Sequence, residues 1–361
     1  MSRELSVATM TSGLTFRLAI GPINTAGQAY NWAEACSALE RVEAFSFTRS
    51  RRRDRIINGP CHRRVPHHRV RPTLIKDLWI RYLLGGATHF LNESFSTVAG
   101  DGLSQHLGRD LPWIRDLGTQ VAVLFHGSDI RSPSRHRQSQ RPSYFEFMDL
   151  ETVSRFEEST ARRRQLARES DLPLFVSTPD LLKDLPEATW LPVTTQVSSW
   201  VTNSRPFETP RLRVLHVPSN ALTKGTAFID PVLKRLAGEG LVEYVTPGRT
   251  PHKRMPDLVR SVDLVIDQIL CGSYGVAAVE TMAAGRLVIG NVGSDVRAVV
   301  DRRVPIVDCT PDDLEVVIRD IVANPEPYSM IAAEGPAFVE RFHSGQMAAR
   351  VLADWMQGSK G

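Results

Sequence analysis

The chain is poor in cysteine and has no long apolar run, and each shortage excludes a class of protein. Its 361 residues include 4 cysteines. Cys36, Cys61, Cys271 and Cys309 are scattered, with no Cys-x-x-Cys pair, which argues against a disulfide frame or a zinc site. They fit reduced thiols in a cytoplasmic protein. No apolar stretch reaches the ~18–20 residues that span a bilayer. The N-terminus has no basic region ahead of a long apolar core, so a secretory signal is not expected. Aromatics are 7% of the chain and do not alternate with its basic residues, so nucleic acid is a weak candidate partner.

Apolar content is sufficient. With 42% hydrophobic residues, two cores can be buried, and ~100–200 residues per domain predicts two domains. In the first half, strands are expected at 14–20, 87–91, 120–125 and 173–176. A helix is expected at 29–39 and a charged one at 149–170. The polar segment 131–143 reads as a mobile loop. A Pro-rich stretch at 203–210 reads as a linker. Beyond it, strands are expected at 212–216, 242–245, 264–266, 287–289 and 305–307, with helices between. Strand–helix alternation in both halves predicts an α/β fold with two doubly wound parallel sheets. Such sheets bind ligands at the carboxyl ends of their strands, which directs attention to the loops there.

The most informative loop is Gly272-Ser-Tyr274-Gly275-Val-Ala-Ala-Val-Glu280-Thr-Met-Ala-Ala-Gly285. Its glycines allow tight turns, helical spacing follows, and Gly285 stands where a helix would stop. The pattern resembles the donor-binding helix of retaining GT-B glycosyltransferases, in particular family 4. That family has Glu-x7-Glu here; Glu280 matches the second glutamate and Gly272 replaces the first. The resemblance makes Glu280 the ribose ligand and leaves the sugar-facing role unfilled or reassigned. Asn220-Ala-Leu-Thr-Lys224-Gly225-Thr226 resembles the family's Arg-x5-Lys-Gly element, whose basic pair holds the diphosphate. Lys224 and Gly225 match; Pro218 stands at the arginine position. A helix N-terminus near Thr226 would add N–H groups for phosphate. Arg249 and His252 are expected near the nucleobase, and Gln268 beside Gly272. Asp267 and Gln268 either contact the donor or hold the Gly272 loop.

In the first half, the loop 21–27, with Asn24 and Gly27, resembles the GT-B loop that approaches donor and acceptor. His126-Gly-Ser-Asp129-Ile-Arg131 follows a buried strand. His126 is expected near the reacting centre, Asp129 on the acceptor or on His126, and Arg131 on phosphate. Glu93 is expected to touch the acceptor.

The resemblance implies two Rossmann-like domains facing a cleft, at 1–205 and 206–345, with a last helix at 346–361 returning to the first. It implies sugar transfer from a nucleotide-diphosphate sugar to a hydroxyl acceptor in polysaccharide, glycolipid or glycoconjugate synthesis. Lys224, Glu280 and His126 would serve the chemistry. There is no Asp-x-Asp triplet, so no metal and no cofactor are expected. The basic run from Arg49 to Arg71 suits anionic lipid headgroups, at about 1 kcal/mol per basic residue near the surface. A solvated basic loop is the plain alternative. A sugar-nucleotide epimerase, a donor-binding protein without catalysis and a membrane-docking adaptor stay open.

Overall fold

The computed structural model describes residues 15–50, 59–66, 73–99, 106–248 and 250–358. The first unit holds β1 (Phe16–Gly21), β2 (Val42–Ser50), β3 (Arg63–Pro66), β4 (His89–Glu93), β5 (Gln120–Phe125), β6 (Leu174–Val176) and β7 (Thr189–Trp190). They form one parallel sheet in the order β3-β2-β1-β4-β5-β6-β7. The second unit holds β8 (Leu212–Leu215), β9 (Val242–Val245), β10 (Leu264–Ile266), β11 (Leu287–Gly290) and β12 (Val307–Asp308). These are also parallel, in the order β12-β11-β10-β8-β9. The direction of winding reverses between β1 and β4 in one sheet and between β8 and β10 in the other. Those two switch points are where open α/β sheets leave a crevice.

Helices of the first unit are α1 (Gln28–Ser37), α2 (Thr73–Leu84), α3 (Leu111–Asp116), α4 (Gly127–Ile130), α5 (Pro133–Ser139) and α6 (Leu150–Glu169). Those after β8 are α7 (Ala221–Lys224), α8 (Thr226–Gly238), α9 (Met255–Arg260), α10 (Val276–Ala283), α11 (Ser294–Val299), α12 (Leu314–Ala323), α13 (Pro325–His343) and α14 (Gln346–Met356). Every residue of β4 and β11 is buried, as strands covered on both faces must be. Alternate residues feed opposite cores: Ala19 and Phe90 face one layer, and Leu18, Ile20 and Leu91 the other. The second layer also takes Ala348, Leu352 and Met356, so α14 returns across the chain and lies on α1. Gly345 permits this approach: a Cβ there would fall 2.9 Å from Ala35.

Three features differ from the sequence expectations. The strands β2, β3 and β7 were not expected. In β2 the buried Ser46 and Thr48 interrupt the apolar alternation, so its period is masked. The segment 131–143 is not a mobile loop: it contains α5, and Arg131, His136, Gln140 and Ser143 are buried. The chain passes between units ahead of the Pro-rich stretch. Leu191 packs in the first unit and Val193 in the second. Pro192, Val193 and Thr194 carbonyls accept from Trp32 Nε1 (2.8 Å), His343 Nδ1 (2.7 Å) and Gln28 Nε2 (3.0 Å). Phe207, within the expected linker, packs against the Leu212–Leu264 layer of the second unit and donates its N–H to Asp263.

His343 fastens this passage and carries a pH consequence. With Nδ1 donating to Val193, the neutral ring accepts at Nε2 from the Tyr274 hydroxyl, 3.0 Å away. Burial pushes its pKa down to about 4. An unfolded histidine titrates near ~6.5, so below that pH the unfolded chain binds more protons. Stability is therefore present above ~6.5 and lost as pH falls toward ~4, by about 3 kcal/mol at most for this group. Thermal unfolding at pH 5 should come at a lower temperature than at pH 7.5. The gap should narrow in His343→Gln, whose amide can keep both bonds without titrating.

Candidate functional site

At the first switch point, the end of β4 delivers a buried carboxylate, Glu93, beneath the loop that leaves β1. Its Oε2 accepts the N–H groups of Ile23 (3.0 Å) and Asn24 (2.6 Å), and its Oε1 that of Thr25 (3.3 Å). Oε1 also lies 3.3 Å from Nε2 of His126, which follows β5. The other ring nitrogen of His126 meets Ser177 Oγ at 3.1 Å, just past β6. Trp32 stacks on the ring. Burial opposes protonation of His126, but the hydrogen bond and charge of Glu93, with the charge of Asp129, outweigh it and raise the pKa. Asp129 accepts from the His126 N–H (2.8 Å) and from Ser94 Oγ (2.6 Å), so it orients this loop. Asn24 and Gly27 have positive φ, and Asn24 is buried, with its amide donating to Pro60.

The second switch point has the same construction. Lys224, ending α7, pairs with Asp267 just beyond β10, both buried. The other carboxylate oxygen of Asp267 accepts the Gly275 N–H at 3.0 Å. A Cβ at Gly275 would lie 3.5 Å from Lys224 Nζ and 3.6 Å from Asp267 Oδ2. Lys224 thus points to the start of α10, which no side chain caps, and not to the Thr226 helix. Thr226 instead meets His216 Nε2 at 2.9 Å. One turn into α10, Glu280 Oε1 meets His252 Nε2 at 3.0 Å. Burial raises the Glu280 pKa despite His252, and the bond to Glu280 raises that of His252. Beside His252, an open recess of about 390 Å³ is lined by Pro247, Thr250, Pro251, Arg254, Asp257 and Leu258.

Elements beyond β5 and β6 touch the loops beyond β10 and β11, so the two carboxyl edges face each other. His136 of α5 meets the Cys271 carbonyl at 3.0 Å, and the Tyr144 N–H donates to the Leu270 carbonyl. Lys183 pairs with Asp295 at 2.8 Å. Gln140 donates to Asn291 at 3.0 Å, and its Oε1 occupies the direction a side chain at residue 272 would take. Gly272 has φ +68°, which a glutamate would adopt only under strain.

Comparison with known proteins now separates fold from function. No family model matches the chain, and no curated relative does. Among solved structures, sucrose-phosphate synthase from Thermosynechococcus elongatus is 14% identical over 95% of this chain and 98% of that one, with a TM-score of 0.62. HepE from Anabaena in complex with UDP is 12% identical over 95% and 100%, at 0.59. WaaG, a glycosyltransferase involved in lipopolysaccharide biosynthesis, is 12% identical over 95% and 100%, at 0.55. The chain has the GT-B fold. At such identities the likeness establishes the GT-B architecture; the residues of this cleft must argue the rest.

Several of the expected site residues have structural roles in the fold. Arg131 is turned into the protein, 2.5 Å from buried Asp180, because an unpaired buried guanidinium would be costly. Tyr274 lies in the second core with its hydroxyl on His343. Asn220 caps α7. Gly225, at φ +80°, separates α7 from α8. Gln268 holds its own loop through the Ser273 carbonyl at 2.6 Å. Arg249 lies outside the described residues. Within the basic run, Arg63 covers Phe45 and Arg64 donates to Gly59; residues 51–58 and 67–72 lie outside the described residues. Sequence reasoning missed Ser177 and Gln140. Ser177 follows a strand and was open to the same strand-end rule. Gln140 reaches the site from the other unit and leaves no local signal.

The Lys224–Asp267 pair yields a stability prediction. Removing one partner of a buried pair strands the other charge, at about 3–5 kcal/mol. Asp267→Ala should lower the urea-unfolding free energy by about 3 kcal/mol. Adding Lys224→Met should recover part of that loss. An equally unstable double variant would mean that the pair is not what holds this loop.

Proposed function

We propose that the chain is a glycosyltransferase that takes a sugar from a nucleotide-diphosphate sugar and passes it to an acceptor hydroxyl. The observation that carries this is the convergence of Lys224 on the uncapped start of α10 at a switch point. A helix N-terminus there offers free N–H groups and about half a positive charge. With the Lys224 ammonium this suits a diphosphate, and the same groups stabilise it as it departs. Glu280, on the same helix, takes the ribose hydroxyls, and His252 and the adjoining recess take the base. The UDP bound by HepE makes uracil the first base to test.

In the reaction, the bond from the anomeric carbon to the phosphate oxygen breaks and a bond to the acceptor oxygen forms. On the resemblance to retaining enzymes, attack comes from the face the phosphate leaves, and a phosphate oxygen takes the acceptor proton. His126 stands across the cleft, where its ring can steady charge near the sugar. Gly272 supplies no carboxylate to the sugar, so orientation there falls to neighbouring groups. The acceptor would meet the first unit. Ile75, Leu78 and Tyr82 are exposed along α2, 49%, 66% and 70% respectively, and close in sequence to the basic run. This supports an acceptor held at an anionic membrane surface, with the protein peripheral there. No helix among the described residues is long and apolar enough to cross a membrane.

Calorimetric titration with uridine, adenosine, guanosine and thymidine diphosphates and their sugars tests the reading. One donor should saturate, with slow release of the diphosphate. Lys224→Ala and Glu280→Ala should each weaken it about 10- to 100-fold, the worth of a charge-assisted hydrogen bond. Turnover of the donor sugar without any acceptor, with no diphosphate released, would favour an epimerase. Absence of binding by every donor would remove the assignment of this cleft.

A further inference from the structure

The loop 22–27 has an unusual backbone. Asn24 and Ala26 are non-glycine residues with φ of 61° and 50°, and Gly27 follows at 75°. An alanine has no side-chain bond to offset the left-handed conformation. Consecutive N–H groups in such a loop point to one side and form a concave seat for an anion. Here the seat is filled from within. The Glu93 carboxylate, fully buried, accepts from Ile23, Asn24 and Thr25 at 3.0, 2.6 and 3.3 Å. The same carboxylate faces His126 at 3.3 Å. The groups around that ring are Glu93 from β4, Asp129 from α4, Ser177 beyond β6 and Trp32 from α1. Arg163 of α6 stands behind Asp129 at 4.0 Å.

We propose that Glu93 is a positioning residue: it fixes the loop 22–27 and the His126 ring as one unit, acting through both. Two consequences follow. The N–H groups of residues 23–25 are committed to Glu93, so this loop presents its outer face to the cleft and does not hold phosphate with them. Donor diphosphate binding then rests on the second unit alone. Glu93 therefore affects turnover and leaves nucleoside diphosphate affinity in place. The kinetic part rests on the transferase reading; the conformational part does not.

The test compares wild type, Glu93→Gln and Glu93→Asp. Glutamine keeps the size but loses the charge, and its amide places a donor against donors. Two readouts need no activity. By NMR, the His126 midpoint should fall by about one pH unit or more in Glu93→Gln and less in Glu93→Asp, which keeps the charge. Amide exchange at residues 23–25 should speed up at least about tenfold, as loss of a hydrogen bond to a charged group would give. In the kinetic arm, the Kd of the saturating nucleoside diphosphate should stay within about twofold, while kcat for donor hydrolysis or transfer falls roughly 100-fold. Adding Ala26→Gly to Glu93→Gln should restore part of kcat, because glycine accepts the left-handed backbone. That rescue distinguishes positioning from a general loss of fold. An unchanged His126 midpoint with unchanged amide exchange in Glu93→Gln would overturn the proposal. So would equal losses of kcat and nucleotide affinity. If wild type binds no nucleoside diphosphate, the transferase reading fails, and the NMR and exchange arms still decide the role of Glu93.

Discussion

A buried carboxylate at each switch point, satisfied by backbone N–H groups and one basic side chain, is the constraint on which the cleft depends. Glu93 does this in the first unit and Asp267 in the second. Each ends or follows a strand of the sheet, so its position is set by the most rigid part of the fold. Each ties down a loop containing glycine. Each holds a basic residue at the carboxyl edge of its sheet: His126 in one case, Lys224 in the other. An isolated buried carboxylate would be expensive, and these arrangements supply the hydrogen bonds and counter-charge that make it tolerable.

The two constructions differ in what they leave open. Glu93 uses up the N–H groups of its loop. Asp267 takes a single N–H, that of Gly275, and leaves the start of α10 uncapped. Free helix-opening N–H groups are therefore left on the second unit, beside the Lys224–Asp267 pair. The first unit offers a ring, His126, and a loop whose N–H groups are taken by Glu93. This asymmetry suits a division in which the second unit holds a charged donor and the first presents the group that receives the sugar. The contacts of His136, Gln140 and Tyr144 with the second unit keep the two edges in register.

How much of this was legible in the sequence varied with the range of the interactions. The strands β5, β9 and β10 coincide with their expected spans, and α14 starts where the last helix was expected, because short apolar runs and a helical stripe are local signals. The pattern around Gly272–Glu280 was legible for the same reason. What failed to show was polar burial. His136 and Gln140 fell in a segment that read as a mobile loop by composition, and Arg131 was expected on phosphate, yet their partners are Cys271, Asn291 and Asp180, far along the chain. Tyr274 occupied a motif position that suggested a ligand contact, and only its place in the second core explains its direction. Lys224 was expected beside the Thr226 helix, and its place beside the start of α10 could not be read without the fold.

The most direct measurement is a crystal structure of the protein soaked with the nucleoside diphosphate that binds it. The account predicts diphosphate oxygens within about 2.7–3.2 Å of Lys224 Nζ and of the N–H groups that open α10, with the ribose on Glu280. It also predicts that Glu93 still holds the 22–27 loop. A diphosphate seated on that loop, with Glu93 displaced, or bound at the Thr226 helix away from Lys224, would contradict it.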